Sequence, residues 1–178
     1  MNFKSILIGT FFLSIIFSAS AQNSASNQNG DIPTQKYRFG FLVGTNSVIT
    51  NKFNPVGLTL GASAEYNVAK SWYIRALPTL TMNNYDLPAT NLHYEATYFE
   101  LPVLAMFKPG NGSFTPIFSA GPDVKMNLTG AMAPTVALDA AIGFEKKFSA
   151  FIFAPEVRYS YQSQFQTIYL TLTFKGVH

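Results

Sequence analysis

Residues that could perform nucleophilic or metal chemistry are scarce in this sequence. Its 178 residues include two histidines, His93 and His178, and no cysteine. A serine nucleophile needs a base beside it, usually a histidine oriented by a carboxylate, and His93 with Ser47 or Ser163 could form such a pair. We favour the interpretation of His93 as a solvated loop residue. Since two histidines without cysteine do not match the usual ligand sets of zinc, we predict no enzyme activity, no metal and no cofactor.

The charged residues form a more informative pattern, because they recur with a period of two. Successive side chains of a β-strand face opposite sides, and in each predicted strand one face holds the charges while the other is apolar. The charged faces together hold Arg38, Glu65, Arg75, Glu100, Asp123, Lys125, Asp139, Glu145, Glu156 and Arg158. Unpaired buried charges are costly, so we expect these four basic and six acidic groups to pair inside a barrel. The predicted core of this network is Glu100, Glu156, Arg75 and Arg158; the alternative is an ion pathway.

The same alternation outlines eight candidate strands of nine to thirteen residues, the length of a tilted strand that crosses a bilayer. They are 37–46, 56–67, 72–83, 96–108, 114–126, 135–146, 151–161 and 167–175. Short links at 68–71, 109–113 and 147–150 alternate with longer ones at 47–55 and 84–95, while 127–134 is intermediate and 162–166 is short. Short turns on one side and longer loops on the other are typical of outer-membrane barrels. Pro78, Pro102 and Pro155 fall inside predicted strands, where we expect bulges.

Alternation alone does not say which face points outward, since a soluble lipocalin-like barrel has the same period. Three features favour an apolar exterior. Charged residues make up 12% of the chain, against about 25% in soluble domains. Long apolar side chains crowd the uncharged face, while glycine, alanine and serine gather on the charged one. Aromatic residues also lie near the strand ends, as in the interfacial girdles of membrane barrels. We therefore predict an all-β, eight-stranded antiparallel up-and-down transmembrane β-barrel.

The N-terminus predicts the compartment. Lys4 precedes an apolar run over 6–17, and Ala19-Ser20-Ala21 has the small-x-small form of a cleavage site. We predict a signal peptide at 1–21, a disordered polar leader at 22–35 and an outer-membrane barrel domain at 36–178. The net charge of +3 is small and scattered, which argues against nucleic acid as a partner.

Three short segments carry a family resemblance. YFELPVL at 98–104, YLTLTF at 169–174 and the glycine-rich YRFGFLVG at 37–44 resemble the PorT-like outer-membrane β-barrel family of Bacteroidetes, which are OmpX/OmpA-like eight-stranded barrels. The resemblance implies residence in the outer membrane of a Gram-negative cell. One type of member belongs to a protein-secretion apparatus, and most are small barrels of unassigned role. The last strand also resembles the signal read by the barrel-assembly machinery, although residues 175–178 extend beyond its terminal aromatic.

These observations lead to one expected function and several alternatives. We expect a non-enzymatic outer-membrane barrel with a plugged lumen, acting in the envelope structure or through its outer loops. The expected partners are the lipid bilayer, lipopolysaccharide, the barrel-assembly machinery during biogenesis and a protein bound by the loops. The possible loop contacts are Asn51, Phe53, Tyr85, Leu87, Leu92 and Tyr94. The alternatives are a subunit of a secretion or transport assembly, a narrow channel and a soluble periplasmic lipocalin-like binding barrel.

Overall fold

The barrel domain is built from β-strands that follow one another along the chain. The computed structural model describes residues 36–49, 56–87, 92–110, 112–130, 133–162 and 165–176, so the predicted signal peptide and leader lie outside the described residues. The strands are β1 (Tyr37–Ile49), β2 (Gly57–Ala69), β3 (Trp72–Ala76), β4 (Thr79–Leu87), β5 (Leu92–Phe107), β6 (Phe114–Asn127), β7 (Thr135–Lys147), β8 (Phe151–Gln162) and β9 (Phe165–Gly176). None of the described residues belongs to a helix, so no helix among them could span a membrane.

Pairing between the first and last strands closes the sheet. β1 pairs antiparallel with both β2 and β9, and β5 to β9 each pair with the next strand along the chain. β3 and β4 share one strand position, because both lie between β2 and β5 in the same register. The structure is therefore a closed eight-stranded antiparallel barrel, which confirms the predicted fold class.

The stagger of the barrel follows from its residue pairing. A path across successive partners leaves β1 at Tyr37 and returns to β1 at Ser47, ten residues further along. The path runs through Tyr66, Ile74, Ala105, Ala120, Ala140, Tyr159 and Ile168. With a rise of about 3.3 Å per residue and about 4.7 Å between strands, this stagger tilts the strands by about 40°. A barrel of this size has an interior that side chains can fill.

Pro78 interrupts the third strand position without shifting its register. Leu77 donates its backbone N–H to the carbonyl oxygen of Pro102 (3.0 Å), and the carbonyl oxygen of Pro78 accepts the N–H of Ala62 (3.0 Å). The ladder therefore continues on both sides of the break between β3 and β4. Proline removes one donor, and the loss is confined to its own position.

The other two prolines lie inside continuous strands. The register of β5 with β6 is the same on both sides of Pro102, and that of β8 with β7 and β9 is the same on both sides of Pro155. The expectation of bulges at the prolines was therefore wrong. Among the described pairings, a register shift occurs between Asn67 and Ala69 of β2, next to a turn.

The β4–β5 hairpin is longer than the sequence pattern indicated. Its pairing runs from Thr79–Glu100 to Leu87–Leu92, so most of the predicted loop 84–95 is strand. His93 pairs with Asp86 within this hairpin, which corrects its assignment to a loop. Tyr85, Leu87, Leu92 and Tyr94 likewise belong to strands, whereas Asn51, Phe53, Ser163 and His178 lie outside the described residues. Pairing persists there although the apolar–polar alternation ends, because backbone hydrogen bonds do not require an apolar face.

We call the two ends of the barrel the turn side and the loop side. The turn side carries the connections 70–71, 108–113 and 148–150, together with the start of β1 and the end of β9. The loop side carries the connections 50–56, 88–91, 128–134 and 163–164.

The two faces of the strands differ sharply in chemistry. Outward side chains are mostly apolar and exposed, such as Phe41 (56%), Leu138 (64%) and Leu170 (56%), while inward side chains are buried and largely polar. The outward face carries charge near the two rims, where Lys146 and Glu95 are exposed. The expectation that one face of β7 is wholly uncharged was therefore wrong at Lys146, near the end of that strand. A lysine at a strand end can extend its ammonium beyond the apolar band.

Gly40 shows why small residues face inward. A Cβ atom there would overlap the carbonyl oxygen of Phe174 and approach Cγ of Lys175 to 2.9 Å. Glycine thus allows β1 and β9 to pair closely at the seam of the barrel. It also leaves the space through which the Lys175 side chain enters the interior.

Candidate functional site: the ion-paired barrel interior

The barrel interior contains all ten of the charged residues singled out in the sequence. Nine of them are buried, and the side chain of Arg38 is 12% exposed. Lys108 and Lys175 join them, buried to 3% and 1% exposure. With these two lysines the interior holds six basic and six acidic groups, so its formal charge is zero.

Sequence reasoning overlooked Lys108 and Lys175, although their phase was visible. Lys108 alternates in step with Glu100, and Lys175 with Thr171 and Thr173. Both lie at the ends of predicted strands, where side chains usually reach solvent. A count of charge would have found them, because four basic and six acidic buried groups leave two charges without compensation.

A cluster of five charges lies on the turn side. The Nζ of Lys175 binds Glu65 and lies 2.5 Å from Oε1 of Glu145. The Nζ of Lys108 binds the same two carboxylates, at 2.9 Å from Glu65 and 2.6 Å from Glu145. Arg38 lies 3.6 Å from the second oxygen of Glu145. This turn-side cluster therefore joins β1, β2, β7 and β9 with Lys108, the residue that directly follows β5.

An aromatic ring completes the turn-side cluster. The guanidinium of Arg38 lies 5.7 Å from the centre of the Tyr73 ring, and the Nζ of Lys108 lies 4.4 Å from it. Tyr73 packs in turn against Met106 and Ile117. Cation–π contacts of this kind are strongest when both partners are desolvated.

An ion pair between Arg75 and Glu156 occupies the middle of the barrel. Nη2 of Arg75 donates to both carboxylate oxygens of Glu156, at 2.9 and 2.7 Å, and to the hydroxyl of Ser119 at 2.9 Å. Charge-assisted bonds of this type are short and geometrically specific. They tie β3 to β8, on opposite sides of the barrel.

The loop-side cluster is organised around Glu100. Its carboxylate accepts hydrogen bonds from Lys125 (3.2 Å), Arg158 (3.3 Å) and the Tyr169 hydroxyl (2.8 Å). Lys125 also donates to the Tyr169 oxygen at 2.9 Å, and Arg158 lies 4.0 Å from the centre of that ring. Tyr169 is fully buried and unites the two cations with the carboxylate.

Two aspartates complete the loop-side cluster. Asp139 lies 3.2 Å from Arg158, and Asp123 lies 3.4 Å from Lys125. The loop-side cluster thus has three carboxylates and two cations, whereas the turn-side cluster has two carboxylates and three cations. The two excesses cancel across the length of the barrel.

Three leucines form an apolar group in the interior. Leu42, Leu77 and Leu104 are in contact and are each exposed by 3% or less. Along the chain, Leu104 stands between Glu100 of the loop-side cluster and Lys108 of the turn-side cluster. We call these three residues the leucine group.

A small cavity of about 90 Å³ opens near the loop side, above the Glu100–Lys125 pair. Its walls include Asn83, Tyr98, Asn127 and Gln162. No group of three or more His, Asp or Glu side chains suited to a metal occurs in the part of the chain that the structure describes. The interior charges are paired with one another.

Known structures with this fold are small outer-membrane proteins. The chain is similar to Neisserial surface protein A, with a TM-score of 0.63, 13% sequence identity and coverage of 79% of this chain and 96% of that one. It is similar to Ail, the attachment invasion locus protein of Yersinia pestis, with a TM-score of 0.55, 13% identity and coverage of 79% and 96%. The backbone structure of the Yersinia pestis outer membrane protein Ail in a phospholipid bilayer nanodisc matches at 0.50, with 12% identity and coverage of 78% and 97%.

No family model matches the sequence, and no curated protein matches it either. At these low identities the structural similarity concerns the fold. It places the chain among closed eight-stranded antiparallel barrels of the outer-membrane type.

Proposed function

We propose that this protein is a non-enzymatic β-barrel of the outer membrane of a Gram-negative cell, with its lumen plugged by ion pairs. One observation carries the proposal: the barrel is apolar around its outside and charged within. Exposed outward residues such as Leu60, Ile74, Phe118 and Leu138 occur on different strands around the circumference. Monomeric soluble proteins rarely expose contiguous apolar patches beyond a few hundred Å². A hydrocarbon environment accounts for such a surface.

Aromatic rings on the turn side support a membrane boundary there. Rings pair between strands, with centroids 5.0 Å apart for Tyr37–Tyr66 and Trp72–Phe107, and 4.7 Å apart for Phe114–Phe144. Further stacked pairs are Phe148–Phe151 and Phe41–Phe174. Tryptophan and tyrosine are enriched at membrane–water interfaces because their rings are amphipathic. Both chain ends of the barrel lie on this side, which we assign to the periplasm.

The soluble binding barrel is less well supported. A lipocalin-like protein holds its ligand in a barrel interior wide enough for one small molecule. Here the described interior is occupied by twelve paired charges and the leucine group, and the cavity near the loop side measures about 90 Å³. A barrel filled in this way leaves little interior space for a ligand, so we place any recognition in the loops.

The finer parts of the proposal rest on sequence. We propose export from the signal-peptide pattern at 1–21, and assembly by the barrel-assembly machinery from the aromatic-ended last strand at 169–174. The PorT-like resemblance, a role in a secretion assembly, and contact with lipopolysaccharide or a protein through the outer loops stay predictions. The longer β4–β5 hairpin extends the surface that the loop side offers to such a partner.

The proposal is tested by the state of the protein in cell envelopes. Expressed with its own N-terminus, it should be recovered in the outer-membrane fraction and released only by detergent. On gels the unboiled protein should migrate differently from the boiled protein, because a closed ion-paired barrel resists the detergent until it is heated. Recovery in the soluble periplasm without detergent would contradict the proposal.

A further inference from the structure

Exposed charge is distributed unequally between the two ends of the barrel. On the turn side Lys36, Lys70 and Lys146 are exposed, and no acidic side chain is exposed there among the described residues. The two carboxylates of the turn-side cluster, Glu65 and Glu145, are buried in the interior and paired with cations. On the loop side the exposed charge among the described side chains is Glu95. The exterior of the turn side is thus basic.

Two of the three lysines lie beside the aromatic pairs on β1, β2 and β3. Lys36 directly precedes Tyr37, and its Nζ lies 5.4 Å from the centre of the Tyr66 ring. Lys70 lies in the β2–β3 turn, two residues before Trp72. We call this surface the basic aromatic patch. It consists of Lys36, Tyr37, Tyr66, Lys70, Trp72 and Phe107.

The patch combines apolar and cationic groups on one outward surface. Trp72 is 51% exposed and Tyr37 44% exposed, so their rings present an apolar surface next to the two ammonium groups. A phospholipid offers acyl chains for the rings and a phosphate for the lysines. An anionic headgroup also carries a net negative charge. Each lysine near the membrane surface should favour an anionic lipid over a neutral one by about five-fold.

We infer that the basic aromatic patch binds anionic phospholipid in the leaflet at the turn side of the barrel. The inference rests on the membrane residence proposed above. A soluble acidic macromolecule would complement the lysines alone, and it would leave Trp72 and Tyr37 exposed to water. An anionic phospholipid can contact the aromatic rings with its acyl chains and the lysines with its headgroup.

Trp72 provides the measurement, because it is the single tryptophan of the chain and belongs to the patch. The full barrel is folded into vesicles of phosphatidylcholine that contain a minor fraction of a lipid with brominated acyl chains. In one preparation this lipid is brominated phosphatidylglycerol, and in the other it is brominated phosphatidylcholine. Bromine quenches tryptophan fluorescence on contact. We expect brominated phosphatidylglycerol to quench Trp72 as if it were enriched about 25-fold at low salt, about five-fold for each of the two lysines, and the enrichment to vanish at about 1 M salt.

Three variants locate the effect. In K36Q/K70Q the two brominated lipids should quench Trp72 equally. K36R/K70R should keep the preference for brominated phosphatidylglycerol, because it keeps the positive charge. K146Q is the matched control: Lys146 is exposed on the same rim but belongs to β7, three strand positions from Trp72, so its loss should leave the quenching unchanged. The different migration of the unboiled protein verifies that each variant is folded.

The outcomes separate the inference from the proposed function. Equal quenching of the wild type by both lipids overturns the anionic preference, although Trp72 still faces lipid; a patch made for an acidic protein would give this result. Quenching by neither lipid in a folded barrel overturns membrane residence itself. A preference that survives K36Q/K70Q overturns the assignment to these two lysines.

Discussion

At the residue scale, the Arg75–Glu156 pair shows what buried charge contributes to this protein. Both side chains are buried, and Nη2 of Arg75 lies 2.7 and 2.9 Å from the two carboxylate oxygens of Glu156. Removing ions from water is costly, so such a pair adds little net stability relative to apolar residues of similar size. The loss of one partner is far more costly, because the other charge is left buried and alone.

Replacing Glu156 alone should therefore be worse than replacing the whole pair. For E156L we expect the free energy of unfolding to fall by about 3–5 kcal/mol, and for R75M/E156L we expect most of that loss to be recovered. Urea unfolding of the barrel in lipid vesicles measures both. A double variant as unstable as E156L would show that the pair has a net favourable role of its own.

At the scale of elements, the seam between β1 and β9 depends on close backbone approach. The pairing extends from Gly40–Lys175 to Ile49–Gln166, and the Phe41 and Phe174 rings stack outside it at 5.0 Å. Inside, Lys175 connects β9 to carboxylates of β2 and β7. The last strand is thus bound to the barrel by its backbone, its outer face and its inner face.

A methyl group at Gly40 should strain this seam. In G40A the added Cβ overlaps the carbonyl oxygen of Phe174, and we expect a loss of about 1–3 kcal/mol in the free energy of unfolding. The matched control is G110A, where no atom lies within 4 Å of the new methyl group, and its effect should stay within about 0.5 kcal/mol. Equal stability of the two variants would contradict the role of Gly40 in barrel closure.

At the scale of the whole molecule, the interior is electrically neutral and filled. Six basic and six acidic groups cancel overall, with a surplus of one cation on the turn side and one carboxylate on the loop side. The leucine group occupies further interior space. A filled interior favours a structural network over an ion pathway.

We therefore predict that the wild-type barrel does not conduct ions. Planar bilayers containing the folded protein should show no discrete openings, because paired charges and the side chains of Leu77 and Leu104 fill the interior. L77A/L104A removes side-chain volume from the leucine group and should produce openings or a raised leak. Steady openings of the wild type would restore the channel alternative.

The strand count and the facing of the strands could be predicted because β-structure has a period of two. Arg75 and Glu100 were assigned to the inner face from their phase alone, and the structure places both there with less than 2% exposure. The ends of β4 and β5 could not be predicted, since pairing continues where Asn84 and Asp86 end the apolar alternation. Lys108 and Lys175 were missed because a strand end can direct a side chain inward or outward with the same local sequence.

Local alternation was enough to predict the fold class, the separation of charged from apolar faces and ten of the twelve interior charges. Which charges meet was settled by the tertiary structure. Glu100 contacts Lys125, Arg158 and Tyr169, which lie on three other strands, and Arg75 reaches Glu156 across the lumen. Such contacts depend on the ten-residue stagger of the closed barrel, a property of the whole ring of strands that no single strand encodes.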